Sequence, residues 1–265
     1  SFAVRQNRHQ KAKPPHSSLA GTRSVDDHST AELGDGSTRS HSPCPKYRLD
    51  VTVPTTAQIL SFDEPDVPAG ASPWVVPPAS SPIRIVEPDP AWPQHAEAIR
   101  GRVIDALGVR ALRVEHVGST AVPDLPAKPI LDMDLTVADP SDEQVWLPQL
   151  EAAGFTLTVR EPWWHEHRLL RLEPESEALP ASAGDLAVFI HVFGPDSPEL
   201  IKHIVFRNWL RANSVDRDRY AVAKRQAAAQ PARSMTQYNA RKTPVIREIY
   251  QRAFDAAGFQ ASRPS

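Results

Sequence analysis

The chain has 265 residues, a net charge of −2 and 40% apolar residues, enough for one large domain or two small ones. Near-neutral charge gives no electrostatic case for nucleic acid, and no run of eighteen apolar residues exists to span a membrane. A single cysteine, Cys44, excludes an internal disulfide and suits a reducing cytoplasm.

Residues 1–50 are rich in Ser, Thr, His, Arg and Asp, with Phe2 and Tyr47 the only aromatics. Such a stretch cannot bury enough surface to offset its ordering entropy and reads as a disordered tail. The start at Ser1 has neither an initiator Met nor an apolar signal core, as expected of a piece of a longer fused protein. In residues 51–82, Val51–Val53 and Gln58–Phe62 have strand character. Pro65, Pro68, Pro73, Pro77, Pro78 and Pro82 argue instead for an extended linker. No chemistry is expected before Ile83, so the boundaries are a tail and linker over 1–82 and one folded domain over 83–258.

Ile83–Val86 reads as a short strand. Asp89, Pro90 and Pro93 mark a helix entry, and Ala96, Ile99, Val103, Ala106 and Leu107 follow helical spacing up to Gly108. Ala111–Val117 alternates as a strand and ends on the turn His116-Val117-Gly118-Ser119-Thr120-Ala121-Val122-Pro123. Three prolines keep 121–129 irregular. Ile130–Val137 is a strand that carries Asp132 and Asp134, which share one face. A helix over Glu143–Ala153 follows, with Pro148 marking a kink or its true start. Phe155–Val159 and His167–Leu172 form a hairpin through Trp163 and Trp164. Leu186–Phe193 is a strongly apolar, central strand. From Pro198 the pattern is helical: 198–212, 215–229 and 235–257, the last with a possible break at Pro244. The fold class is α+β, a mixed sheet with flanking helices followed by a C-terminal helical part.

Two carboxylates roughly 6–7 Å apart along a strand can share divalent ions. Gly118 permits close backbone approach, and Ser119 and Thr120 add hydroxyls, so turn and strand together read as a phosphate cradle beside a metal site. The plain alternative is a loop and a strand whose aspartates face solvent. Lys128 follows the cradle and could neutralise a phosphate. His116 either orients a ligand or caps the strand end. His165 and His167, at i and i+2, would aim at one metal if both lay on a strand. Trp163, Trp164 and Trp209 read as packing.

The turn, the Ala127-Lys128-Pro129-Ile130-Leu131-Asp132-Met133-Asp134 run, Phe189–Phe193, Phe206–Ala212 and Tyr238–Lys242 together resemble the GrpB family. That family is part of the nucleotidyltransferase superfamily with the DNA polymerase β-like fold. The resemblance covers Ile83 to about Phe254. It implies that Gly118 and Ser119, with Thr120 and Lys128, hold nucleotide phosphates. It implies that Asp132 and Asp134 bind two Mg²⁺ ions, and that His191 stands where the superfamily has a third acid, which makes Mn²⁺ or Zn²⁺ worth testing. Asp185 and Glu173 are spare carboxylates. Arg207, Tyr220, Lys224, Tyr238 and Lys242 match family positions on the C-terminal helices, where relatives wall the nucleotide site; otherwise they are a solvated face. The domain is also similar to one fused behind dephospho-CoA kinase in actinobacteria, although no G-x-x-x-x-G-K-[ST] loop occurs here. The implied function is a metal-dependent nucleotidyltransferase acting on an NTP and an unknown acceptor. The alternative is a non-catalytic nucleotide-binding domain that assists a fused or neighbouring dephospho-CoA kinase.

Overall fold

The computed structural model describes residues 53–77, 83–174, 176–177, 179, 183–229 and 235–260. All of them fall in one compact unit. The expected disordered tail, residues 1–50, lies outside the described residues.

The chain runs α1 (Thr56–Leu60), α2 (Trp92–Leu107), β1 (Arg113–Val117), β2 (Ile130–Thr136), α3 (Glu143–Ala152), β3 (Thr156–Glu161), β4 (His167–Leu172), β5 (Ala187–Phe193), α4 (Pro198–Ala212), α5 (Ser214–Ala229) and α6 (Met235–Ala256). The five strands form one sheet in the order β1-β2-β5-β4-β3. β2 and β5 are parallel and every other pair is antiparallel. This is the mixed α+β architecture expected.

Alternation decides what each face of the sheet does. Leu131, Met133 and Leu135 on β2 and Val188, Ile190 and Val192 on β5 are buried with the α2 stripe Ala96, Ile99, Val103 and Leu107. Spaced at i, i+3, i+7 and i+11, those α2 residues form one apolar stripe. Each large side chain sealed there contributes about 1.5–3 kcal/mol of transfer free energy. The opposite face of the same strands carries Asp132, Asp134 and His191, and the parallel register sets Asp134 directly beside His191. A second apolar cluster joins α4, α5 and α6 through Leu210, Tyr220, Ile246, Ile249, Tyr250 and Phe254. Pro244 sits within α6 without breaking it, because this packing outweighs one lost backbone bond.

The structure corrects three expectations. Residues 56–62 are neither strand nor extended linker. Thr55 and Gln58 make a reciprocal capping box at the start of α1, Ile59 is buried in the helical cluster, and Phe62 packs edge-on against Tyr250 at 5.1 Å. Further on, Arg160 N donates to Pro73 O at 2.8 Å and Trp74 bridges Val159, so this segment covers the free edge of β3. Ile83–Val86 is no strand: Val86 makes only an isolated bridge to Ala127. Asp89 does not cap α2; its Oδ1 accepts from Ala91 N at 2.8 Å, and Ala91 is the N-cap.

Candidate functional site

An open cleft lies between the polar sheet face and the C-terminal helices. The sheet side supplies Gly118, Ser119, Lys128, Asp132 and His191, and the helices supply His203, Tyr220, Lys224, Tyr238 and Lys242.

Gly118 makes the turn possible. Its φ of +70° is strained for any other residue, and an added Cβ would stand 2.9 Å from Asp132 Cβ. β1 pairs with β2 up to Val117 opposite Asp132, so the chain must leave the sheet directly over that carboxylate. Glycine alone lets it do so. Ser119 then hydrogen-bonds Tyr220, whose hydroxyl burial pushes up to about 12. Tyr220 therefore stays protonated and ties α5 to the turn.

Three lysines line the cleft, Lys128 from the sheet side and Lys224 and Lys242 from the helices. Lys224 and Lys242 are buried and Lys128 is half-buried. Lys242 Nζ lies 4.5 Å from the Tyr238 ring centre and Lys128 Nζ lies 5.8 Å from the same ring. Lys224 Nζ sits 5.1 Å from the Tyr220 ring and meets no hydrogen-bond partner among the described residues. Burial drives the Lys224 ammonium well below its ordinary pKa, with the Lys242 and Lys128 charges adding to the effect. Burial, then Lys128, brings Lys242 down to about 7. Clustered ammonium groups stripped of water are costly unless an anion completes them.

The sheet side is arranged as two pairs. Asp134, 2% exposed, is engaged by α4: His203 Nδ1 lies 2.9 and 3.1 Å from its two oxygens. Burial opposes the imidazolium, but the Asp134 carboxylate outweighs it and holds the His203 pKa above its ordinary value. Asp132 points into the cleft with His191 Nε2 at 3.8 Å from Oδ1. Behind His191 the row continues across β4 and β3 through His167 to Glu161.

The GrpB protein family matches residues 82–252 of this sequence. The chain belongs to the GrpB family. UPF0157 protein BH1888 of Halalkalibacterium halodurans is 41% identical over 176 residues, covering 66% of this chain and 85% of that protein. UPF0157 protein SCO7215 of Streptomyces coelicolor is 37% identical, over 64% of this chain and 84% of that one. A dephospho-CoA kinase of Mycolicibacterium paratuberculosis is 32% identical over 70% of this chain, but the match spans only 49% of the kinase. The crystal structure of GrpB from Enterococcus faecalis superposes with a TM-score of 0.56 at 27% identity, covering 66% of this chain and 99% of that one.

Within this GrpB domain the structure gathers most of the expected residues in one place. Gly118, Ser119, Lys128, Asp132, His191, Lys224, Tyr238 and Lys242 all line the cleft. Asp134, Thr120 and Arg207 do not. Thr120 Oγ1 donates to Ile130 O at 2.9 Å and meets His116 Nε2 at 3.0 Å, bracing the turn. Arg207 holds Glu115 Oε2 at 2.9 Å and His116 O at 2.7 Å, tying α4 to β1. His116 is brought down to about 4 by burial, partly opposed by Asp132, and stays neutral. His165, at φ +50° in the hairpin turn, is not on a strand, so it does not share a strand face with His167. Asp185 pairs with exposed Arg84 and Glu173 with Arg171, both outside the cleft lining. His203 and Glu161 drew no notice in the sequence. No local pattern links α4 or β3 to the aspartates of β2; the link is purely tertiary.

Proposed function

We propose that this GrpB domain binds the polyphosphate group of a nucleotide in the lysine-lined cleft, with the phosphates lying between the Gly118–Ser119 turn and Lys224, Lys242 and Lys128. The observation that carries this reading is Lys224, whose ammonium is buried at the cleft wall with no hydrogen-bond partner among the described residues. A phosphate oxygen supplies the missing partner in a charge-assisted bond. The turn shapes the approach, and Tyr220 and Tyr238 wall it off from water. Such a ligand belongs to the cytoplasm.

A Mg²⁺ or Mn²⁺ pair does not fit the residues as arranged. His203 Nδ1 already bridges the two oxygens of Asp134 at 3.1 and 2.9 Å, and no group of three His, Cys, Asp or Glu among the described residues is placed to hold a metal ion. No metal-dependent step is therefore derived. Nucleotidyl transfer to an unknown acceptor is the second reading. It is favoured by Asp132 Oδ1, which is buried at the cleft without a hydrogen bond among the described residues. The similarity to dephospho-CoA kinases, of which the match spans only 49%, favours a binding domain that works beside such a kinase.

One experiment separates the readings. ATP, GTP and CoA are added to wild type and Asp132→Asn, following melting temperature and transfer of an α-phosphate label with Mg²⁺ or Mn²⁺. The binding reading predicts a rise in both proteins without transfer; a ligand at a hundred times its Kd stabilises by about 2.7 kcal/mol, several degrees for a domain of this size. Label transfer that Asp132→Asn abolishes establishes the transferase. No shift with any of the three compounds contradicts the proposal.

A further inference from the structure

The row behind Asp132 carries an instruction about hydrogen-bond direction. Glu161 and His167 face each other across the β3–β4 hairpin, and His191 lies on the same face of the neighbouring strand, opposite Leu169. His167 Nδ1 lies 2.7 Å from Glu161 Oε2. His167 Nε2 meets His191 Nδ1 at 3.0 Å, and the two rings lie within 16° of parallel, nearly in line. All three residues are almost fully buried, and Trp164 closes over His167 edge-on at 5.1 Å. Solvent therefore does not rearrange the pattern.

A carboxylate only accepts, so the proton on His167 sits at Nδ1. With both rings neutral, each has a single N–H, which leaves His167 Nε2 as the acceptor. Its partner at 3.0 Å is His191 Nδ1, which then carries the proton. We infer that Glu161 and His167 are positioning residues that fix His191 in the Nδ1–H tautomer, turning its Nε2 lone pair toward Asp132 and the cleft. Such second partners set which nitrogen of a histidine is available.

The consequence for the ligand rests on the cleft being the polyphosphate site proposed above; the tautomer does not. With Nε2 an acceptor, the sheet end of the cleft presents two acceptors 3.8 Å apart, Asp132 Oδ1 and His191 Nε2. This acceptor pair takes a hydrogen-bond donor, a hydroxyl of the bound molecule.

The test is nitrogen NMR on the full chain labelled with ¹⁵N-histidine at pH 7.5, with His191 assigned by the signals missing in His191→Gln. The expected wild-type spectrum shows His191 protonated at Nδ1 and bare at Nε2. In Glu161→Gln, whose side chain can also donate, and in His167→Phe, which removes the acceptor, His191 is expected to lose its single tautomer. A proton on His191 Nε2 in wild type overturns the inference before any variant is made, as does one tautomer unchanged in both variants. ATP titration of the same samples keeps the questions apart: an absent ATP response with the expected tautomer rejects the polyphosphate reading and leaves the tautomer standing.

Discussion

Lys242 carries the clearest chemical consequence of burial in this protein. Its pKa is brought down to about 7 by burial first and by Lys128 second, with Asp132 pulling the other way. An anion bound against it favours the charged form and raises that value again. Binding above pH 7 must then take up protons, about half of one from Lys242 at pH 7 and close to one at pH 8. ATP calorimetry in buffers of different ionisation enthalpy reads this directly, and affinity should weaken as pH rises past 7. Binding without proton uptake would place the anion away from Lys242. At this scale much of the site was legible. Gly118, Asp132 and the lysines at 128, 224 and 242 stand in patterned stretches. What was not legible is which of them touch one another. Asp134 looks equivalent to Asp132 on the strand, yet α4 claims it through His203, because a helix 60-odd residues later packs over that end of β2. Thr120 and Arg207 look like cleft residues by position but spend their hydrogen bonds on the turn and on β1.

The elements with strong periodicity were readable almost to the residue. α2 announces itself by its stripe and its Gly108 stop, and β5 by seven consecutive buried residues. α1 was obscured by composition. Five residues are too short to show a period, and six prolines nearby outweighed the Thr55–Gln58 capping signal. Its docking is nonetheless substantive: Ile59 is 2% exposed, Phe62 meets Tyr250, and the Lys202 ammonium donates to Ser61 O at 2.6 Å. Ile59→Ala should therefore destabilise the domain by about 2–5 kcal/mol in urea unfolding, the range for a buried large-to-small change. A surface linker would give a change within about 0.5 kcal/mol. Because α1 rests on the helices that form the cleft wall, its loss should also loosen α4 and α6 first.

On the scale of the whole molecule, the sheet divides two tasks between its faces. One face holds the apolar core against α2 and α3, and the other holds ionisable groups beneath the C-terminal helices. Two shorter UPF0157 proteins match this domain over most of their own length, and in a dephospho-CoA kinase the match spans about half of a longer chain. Buried, mutually repelling lysines lower stability in the empty protein, and such an arrangement is the usual signature of a site kept for a ligand. Lys224 should therefore trade stability for binding. The decisive measurement pairs calorimetric ATP titration with thermal unfolding for wild type and Lys224→Met. The account predicts that ATP binds the wild type, that the methionine variant binds at least about tenfold more weakly, and that it melts at the same temperature or higher. Equal ATP affinity in the two proteins, or a variant that melts well below wild type, would show that Lys224 serves the fold and not a bound anion.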